Sequence, residues 1–285
     1  MSTMSRISII IQTCLVITAS FNITADEKFK VCADPLNPPY SNKNLSGFEN
    51  KIAELFAKEL NQTVQYTWFP QRIGFIRNTL KAKNEASGEY KCDIVMSVPY
   101  HYELTLTTRP YYHSSYVLLI AKQRGWDDID NPRQLTELPV QRQRKLRIAM
   151  FDRGPGTTWL QQNGLLDQGI PYQTMSGDPE NNTAMQIQKD LATGKIDMVI
   201  LWGPMAGHVI TSSPANAFKV IPMKSTPGIK FDFSMAMGVR HGDKKRQAQL
   251  NKLIVKNAKE IANIISRYQI PLLPIPEALP VKDAD

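Results

Sequence analysis

Side chains that could perform catalysis or bind a metal ion are dispersed along this sequence of 285 residues. The histidines show neither the HExxH pattern nor the spacing of a metal site; they are His101, His113, His208 and His241. No GxSxG elbow and no Walker loop occurs, and no pair of carboxylates stands out. The sequence therefore predicts a protein that is not an enzyme and that has no metal ion or cofactor of its own.

A glycine-rich turn, RGPGTT, precedes a helical pattern and could bind an anion. Free backbone N–H groups at the start of a helix can receive a negative charge, which makes Arg153, Gly156, Thr157 and Thr158 candidate ligand-binding residues. Thr157 could instead cap the helix. The sequence does not decide between these two interpretations.

Single charged residues mark the edge of the first predicted sheet. Asp34 follows the first strand, where ligands of open α/β sheets bind, although a role in stabilising the turn explains it as well. Arg72 and Arg77 are five residues apart in QRIGFIRNTL and do not share a helix face. One of them can point to a cleft and the other to solvent.

The first 25 residues have the layout of a secretory signal peptide. Arg6 is their only charge, ISIIIQTCLVITA is a short apolar run, and Ile23-Thr24-Ala25 resembles a cleavage site. An uncleaved membrane anchor is the alternative, but the run is short for a span. We expect an exported protein without stable membrane insertion.

Cys32 and Cys92 remain when Cys14 leaves with the signal peptide. An even number of cysteines in an oxidising compartment indicates a disulfide bond, and each lies in a short apolar run that predicts a strand. Two buried free thiols are the alternative. No histidine or further cysteine lies near enough in the sequence to suggest a metal site.

The basic residues give no sign of a nucleic-acid-binding surface. The net charge of +8 becomes +7 without the signal peptide, and QRQRKLR is the only dense cluster. It has no interleaved aromatic residues. The charge indicates a solvated surface that could help to find an acidic partner.

Hydrophobic periodicity predicts strands alternating with helices, and hence a parallel sheet covered by helices. In GFENKIAELFAKEL the apolar residues share one helical face: Phe48, Ile52, Leu55, Phe56 and Leu60. A second cycle of strands and helices begins at LRIAMF. The segment HGDKKRQAQLNKLIVKNAKEIANIISRYQ predicts one long helix, and PLLPIPEALP predicts a tail without helix.

Two extended apolar runs, 114–122 and 233–239, join the two cycles. They predict a bilobed α/β fold with a cleft between lobes that can hinge. We assign 1–25 to the signal peptide, 26–116 and 233–285 to the first lobe, and 117–232 to the second.

At this level of detail the chain resembles the type 2 periplasmic solute-binding proteins, and within them the methanol-oxidation J proteins, which are associated with quinoprotein (PQQ) alcohol dehydrogenases. The segments that match are VCADPLNPPYSN, GFENKIAELFAKEL, YTWFPQRIGFIRNTL, CDIVMSVP, TTRPYYHSSYV and GKIDMVILWGPMAG. The resemblance implies a periplasmic accessory protein whose partner is a PQQ-dependent methanol dehydrogenase. The second hypothesis is a solute carrier that delivers a small ligand to an ABC transporter, and a weaker third is an enzyme in the cleft.

The resemblance also implies which residues face the cleft. Amino-acid-binding relatives have an arginine where this chain has His101, flanked by Tyr100 and Tyr102, and an aspartate where it has Trp202. Without these two charged residues, the carboxylate and ammonium groups of a bound amino acid would be unpaired in a dry cleft. We therefore expect either an apolar or anionic cleft ligand or none. Trp68, Phe75 and the tyrosines would form an aromatic wall, with ordinary core packing as the alternative.

Overall fold

The computed structural model describes residues 27–174 and 182–277. The predicted signal peptide lies outside these described residues. The strands are β1 Lys28–Ala33, β2 Leu36–Asn37, β3 Ser41–Asn42, β4 Thr63–Trp68, β5 Ile94–Pro99, β6 Leu106–Thr107, β7 Tyr112–Ala121, β8 Ile148–Phe151, β9 Gly169–Tyr172, β10 Met198–Trp202, β11 Phe218–Pro222, β12 Asp232–Val239 and β13 Leu272–Leu273. The helices are α1 Phe48–Glu59, α2 Phe75–Asn78, α3 Gln134–Glu137, α4 Val140–Gln143, α5 Pro155–Gln162, α6 Thr183–Thr193, α7 Gly203–Thr211, α8 Lys244–Lys256 and α9 Ala258–Ser266, with a 3₁₀ turn at Leu166–Gln168.

Two parallel sheets are joined through a pair of long antiparallel strands. The strand order is β4-β1-β5-β12-β7-β10-β8-β9. Pairing is parallel within β4-β1-β5 and within β10-β8-β9, and antiparallel where β12 and β7 meet each other and their outer neighbours. The predicted extended runs are thus the crossover strands, and the α/β prediction is confirmed. The lobe boundaries stay a prediction.

The first lobe is organised around α1. Phe48, Ile52 and Phe56 are fully buried, as the helical spacing predicts, and they share a core with the apolar residues of α8 and α9. Gly47 precedes α1 because a Cβ there would lie 2.1 Å from the carbonyl oxygen of Tyr40. This close approach places the first turn of α1 against the loop that follows β1.

The prediction of one long C-terminal helix is wrong, because Asn257 interrupts it. Its backbone leaves helical geometry, and its side-chain amide donates to the carbonyl oxygen of Leu253 at 3.0 Å. Such local side-chain bonds compete with the helical ladder. The chain continues as α9, so the apolar faces of both helices still reach the core of the first lobe.

Two further elements were not predicted from the sequence. The segment after Trp202 forms α7, for which GPMAGHVIT gave little helical signal because it contains two glycines and a proline. The tail forms β13, which pairs with His113 and Ser114 of β7.

The predicted disulfide bond is confirmed. Cys32 of β1 and Cys92, two residues before β5, are bonded with their Cα atoms 5.4 Å apart. Both side chains are buried in a small core on the α2 side of the sheet, with Phe75, Leu80 and Val95.

Candidate functional site

A buried polar cluster lies where the first lobe meets the crossover strands. Glu49 comes from the first turn of α1, the half-buried Ser97 from β5, Tyr112 from the start of β7 and Tyr111 from the position just before it. Tyr40, in the loop before α1, packs against the same core and has its ring 5.3 Å from that of Phe48. The cluster therefore lies near the carboxyl end of β5, the position where ligands of open α/β sheets bind.

Glu49 is the ionisable group at the centre of this cluster. Its side chain is 9% exposed, and burial raises the pKa of its carboxyl group to about 7. The negative charge of Asp34 raises this pKa further, while hydrogen bonding to Ser97 partly offsets the increase. A carboxyl group in this state can bind or release a proton near neutral pH.

Ser97 links Glu49 to the tyrosines. Its backbone has a positive φ of 48°, an uncommon conformation for a residue other than glycine. The backbone N–H of Ser97 donates to the Tyr111 hydroxyl at 3.1 Å, and the two hydroxyl oxygens are 2.9 Å apart. The hydroxyl of Tyr112 is buried without a hydrogen-bond partner in the part of the chain that the structure describes.

Trp202, at the end of β10, connects the second lobe to this cluster. Its ring lies 5.4 Å from Tyr116 and 5.8 Å from Phe233, one on each crossover strand. It also packs against the core of the first lobe, as Tyr40 does. The space between the lobes at this point is thus filled by the protein's own aromatic side chains.

Comparison with known proteins gives the same fold. No family model matches the chain. The crystal structure of the periplasmic binding protein XoxJ from Methylobacterium extorquens AM1 is 30% identical, with 87% of this chain and all of that one aligned, and a TM-score of 0.67. The chain belongs to the MoxJ/XoxJ family. It is also 28% identical to Protein MoxJ of Methylorubrum extorquens over 86% of this chain and 82% of that protein.

The MoxJ/XoxJ fold confirms the bilobed type 2 periplasmic-binding-protein architecture. A second crystal structure, MxaJ from Methlophaga aminisulfidivorans, is 22% identical and shares the fold with a TM-score of 0.67, covering 86% of this chain and all of that one. Within the described residues, no helix is both long and apolar enough to cross a membrane, and no three metal-ligating side chains cluster.

Among the residues predicted for the site, Asp34 stabilises a turn in this member of the MoxJ/XoxJ family. One carboxylate oxygen accepts from the backbone N–H of Leu36 at 2.7 Å, and the other accepts from that of Gln71 at 2.5 Å. Asp34 therefore ties the loop after β1 to the loop after β4, and it contributes to the site through its charge near Glu49.

The predicted aromatic wall is divided between separate places. Trp68 stacks on Tyr66 at 4.6 Å and packs against the α1 core, whereas Phe75 is buried in the small core beside the disulfide bond. The ring of Tyr102 packs against that second core, and the guanidinium of Arg72 lies 5.2 Å from the ring of Phe69 nearby. Only Trp202 among the predicted residues lies in the aromatic contact between the lobes.

Tyr100 faces another pocket, and His101 lies beside it in the chain. Their rings are 3.8 Å apart, and His101 is exposed with a positive φ of 64°. Tyr100 lines a pocket that also contains Arg109 and the C-terminal residues 275–277. The structure does not bring these two residues together with Trp202.

The start of α5 has fewer free backbone N–H groups for binding an anion than the sequence suggests. The Thr157 hydroxyl donates to the carbonyl oxygen of Phe151, and no side chain caps this helix, so the capping interpretation of Thr157 is wrong. Its backbone N–H and that of Thr158 donate to the carbonyl of Gly154. Gly156 packs on Ile200 of β10, and Arg153 is exposed.

Sequence reasoning missed Glu49, Ser97 and Tyr40 as members of the site. Glu49 looks like an ordinary polar residue in the first turn of an amphipathic helix, and acidic residues are common there. The only sign in the sequence that Glu49 is buried is its neighbour Phe48, the apolar first residue of the helix. A residue next to a buried position at the start of a helix can face the edge of the sheet. Only the fold shows that the helix begins inside the cluster.

Proposed function

We propose that the protein is a periplasmic accessory protein of methanol oxidation that interacts with a PQQ-dependent methanol dehydrogenase and aids its assembly, activation or function. On this proposal it is exported by its signal peptide, acts without catalysing a reaction, and has the dehydrogenase as its partner. Membership of the MoxJ/XoxJ family supports this proposal.

The observation that most favours a partner over a transported solute is the position of Trp202. A solute carrier needs a concave space between its lobes that its ligand can enter. Here Trp202 packs on both crossover strands and on the first lobe, and its position is where amino-acid-binding relatives have a charged anchor. A charged solute would have to displace this aromatic contact.

Affinity capture from the periplasm of the native host tests the proposal. The tagged protein is expected to recover the methanol dehydrogenase in a stoichiometric amount. A tagged amino-acid-binding protein of the same fold serves as the control, because it shares the architecture and the compartment but should not recover the enzyme.

The alternative, a solute-binding protein that delivers a small non-amino-acid ligand to an ABC transporter, predicts a different result. Calorimetry with periplasmic metabolites would then show saturable binding at micromolar concentrations, and capture would recover no dehydrogenase. That pair of results would overturn the proposed function.

A further inference from the structure

A groove on the first lobe lies beside the Glu49 cluster, and Ser97 of β5 lines it as well. Its volume is about 540 Å³. Residues 71–77, which follow β4, form one wall, Val95 and Val98 of β5 contribute the floor, and Tyr102 and Leu104 form the opposite wall. Val95 and Val98 pack with the disulfide, whereas Ile94 and Met96 pack with α1. Strict alternation would place Val98 with Ile94 and Met96, and the positive φ of Ser97 lies where the alternation breaks. We call this surface the Arg72 groove.

The Arg72 groove has a positive rim. Arg72, Arg77 and Lys81 line it and are exposed, and no acidic side chain is among its lining residues. None of these three cations forms an ion pair with a residue that the structure describes. Uncompensated cations around a concave apolar surface attract carboxylates and disfavour cationic partners.

The groove also exposes apolar surface that only a large partner could cover. Phe75 and Ile76 are buried at its base, but the side chain of Ile73 is 94% exposed and that of Leu104 is 45% exposed on the opposite wall. A small molecule at the base of the groove would leave Ile73 in water. A protein segment can cover both walls and bury this apolar surface.

We propose that the Arg72 groove docks an acidic segment of a partner protein. Carboxylates of the segment pair with Arg72, Arg77 and Lys81, and its apolar side chains cover Ile73 and enter the groove. This inference rests on the proposed function, since the partner is the methanol dehydrogenase. The cleft between the lobes is not needed for this contact.

The test measures the affinity of the purified dehydrogenase for immobilised variants of this protein. Ile73→Asp and the pair Arg72→Glu with Arg77→Glu are each expected to raise the Kd about tenfold or more. Raising the salt concentration should weaken wild-type binding and have less effect on the charge-reversed variant.

Matched controls come from an exposed surface of the other lobe. Val140→Asp replaces an apolar residue that is 62% exposed, and Arg144→Glu with Lys145→Glu reverses two exposed charges. Both controls are expected to bind like the wild type. Circular dichroism checks that every variant is folded.

The outcomes separate the two proposals. Equal binding by the groove variants, the controls and the wild type would overturn the groove and leave the proposed function in place. Absence of dehydrogenase binding by the wild type would overturn both. Saturable binding of octanoate that is lost in the charge-reversed variant, with dehydrogenase binding unchanged, would identify a small-molecule site and overturn protein docking.

Discussion

At the scale of single residues, Glu49 makes the stability of the fold depend on pH. Its carboxyl group has a pKa of about 7 in the folded protein and 4.5 as its ordinary value. The folded state therefore keeps its proton where the unfolded state has lost it. The contribution of Glu49 to the free energy of unfolding therefore falls as the pH rises from about 4.5 to about 7.

The first prediction concerns Glu49→Gln, which preserves size and hydrogen bonding but cannot ionise. The difference in free energy of unfolding between the variant and the wild type should shift by about 3 kcal/mol in favour of the variant from pH 4 to pH 8. One unit of pKa shift corresponds to about 1.4 kcal/mol. Urea unfolding at both pH values measures the difference.

Glu54→Gln provides the control for this measurement. Glu54 lies on the same helix, but its side chain is 44% exposed and pairs with Lys51. Its substitution should leave the difference between the two pH values unchanged. If Glu49→Gln shows the same pH dependence as the wild type, then Glu49 is ionised in the folded protein and the account of the cluster is wrong.

Gly156 distinguishes a packing role from an anion-binding role. A Cβ at this position would lie 2.9 Å from the Cβ and Cγ2 atoms of Ile200, so Gly156→Ala should lower the free energy of unfolding by about 1–3 kcal/mol. Thr158→Ala, on the same turn, should change it by less than about 0.5 kcal/mol. Thermal unfolding measures both, and equal stability of the two variants would refute the packing role.

At the scale of elements, the disulfide bond fixes β1 beside β5. It closes a loop with a sequence separation of 60 residues, and the chain-entropy model gives a stabilisation of about 4 kcal/mol for such a loop. Replacing Cys32 and Cys92 by alanine should lower the free energy of unfolding by about this amount in urea. Reduction of the wild type distinguishes the effect of the covalent bond from that of side-chain packing. An unchanged free energy of unfolding after reduction would contradict the prediction.

The elements that could be predicted from the sequence are those with long, regular apolar patterns. The spacing of Phe48, Ile52 and Phe56 defines α1, and SSYVLLIAK defines β7, because burial of a whole face leaves a periodic trace. The break at Asn257 and the helix α7 depend on single side-chain bonds and on contacts with other elements. Such local events leave no periodic signal.

The candidate site was less predictable than the fold for a related reason. Trp202 could be placed between the lobes because the resemblance supplied its position. Glu49, Ser97 and Tyr111 come from three different elements, and only the packing of those elements makes them neighbours. The sequence shows each residue type but not the burial that changes the pKa of Glu49.

At the scale of the whole molecule, the two lobes are connected by more than the crossover strands. Trp202 of the second lobe contacts Tyr116 and Phe233 on these strands and packs against the core of the first lobe. An aromatic contact of this kind opposes the hinge motion that a solute carrier needs. It favours a rigid shape, which suits recognition by another protein.

The last prediction tests this rigidity with Trp202→Ala. Loss of the indole ring should lower the free energy of unfolding by about 2–4 kcal/mol and accelerate hydrogen exchange of the amides of β7 and β12 next to Tyr116 and Phe233. Leu166→Ala, at a side chain that is 40% exposed, should leave exchange in both strands unchanged. If Trp202→Ala exchanges like the wild type in the crossover strands, the aromatic contact does not restrain the lobes, and the solute-carrier alternative gains support.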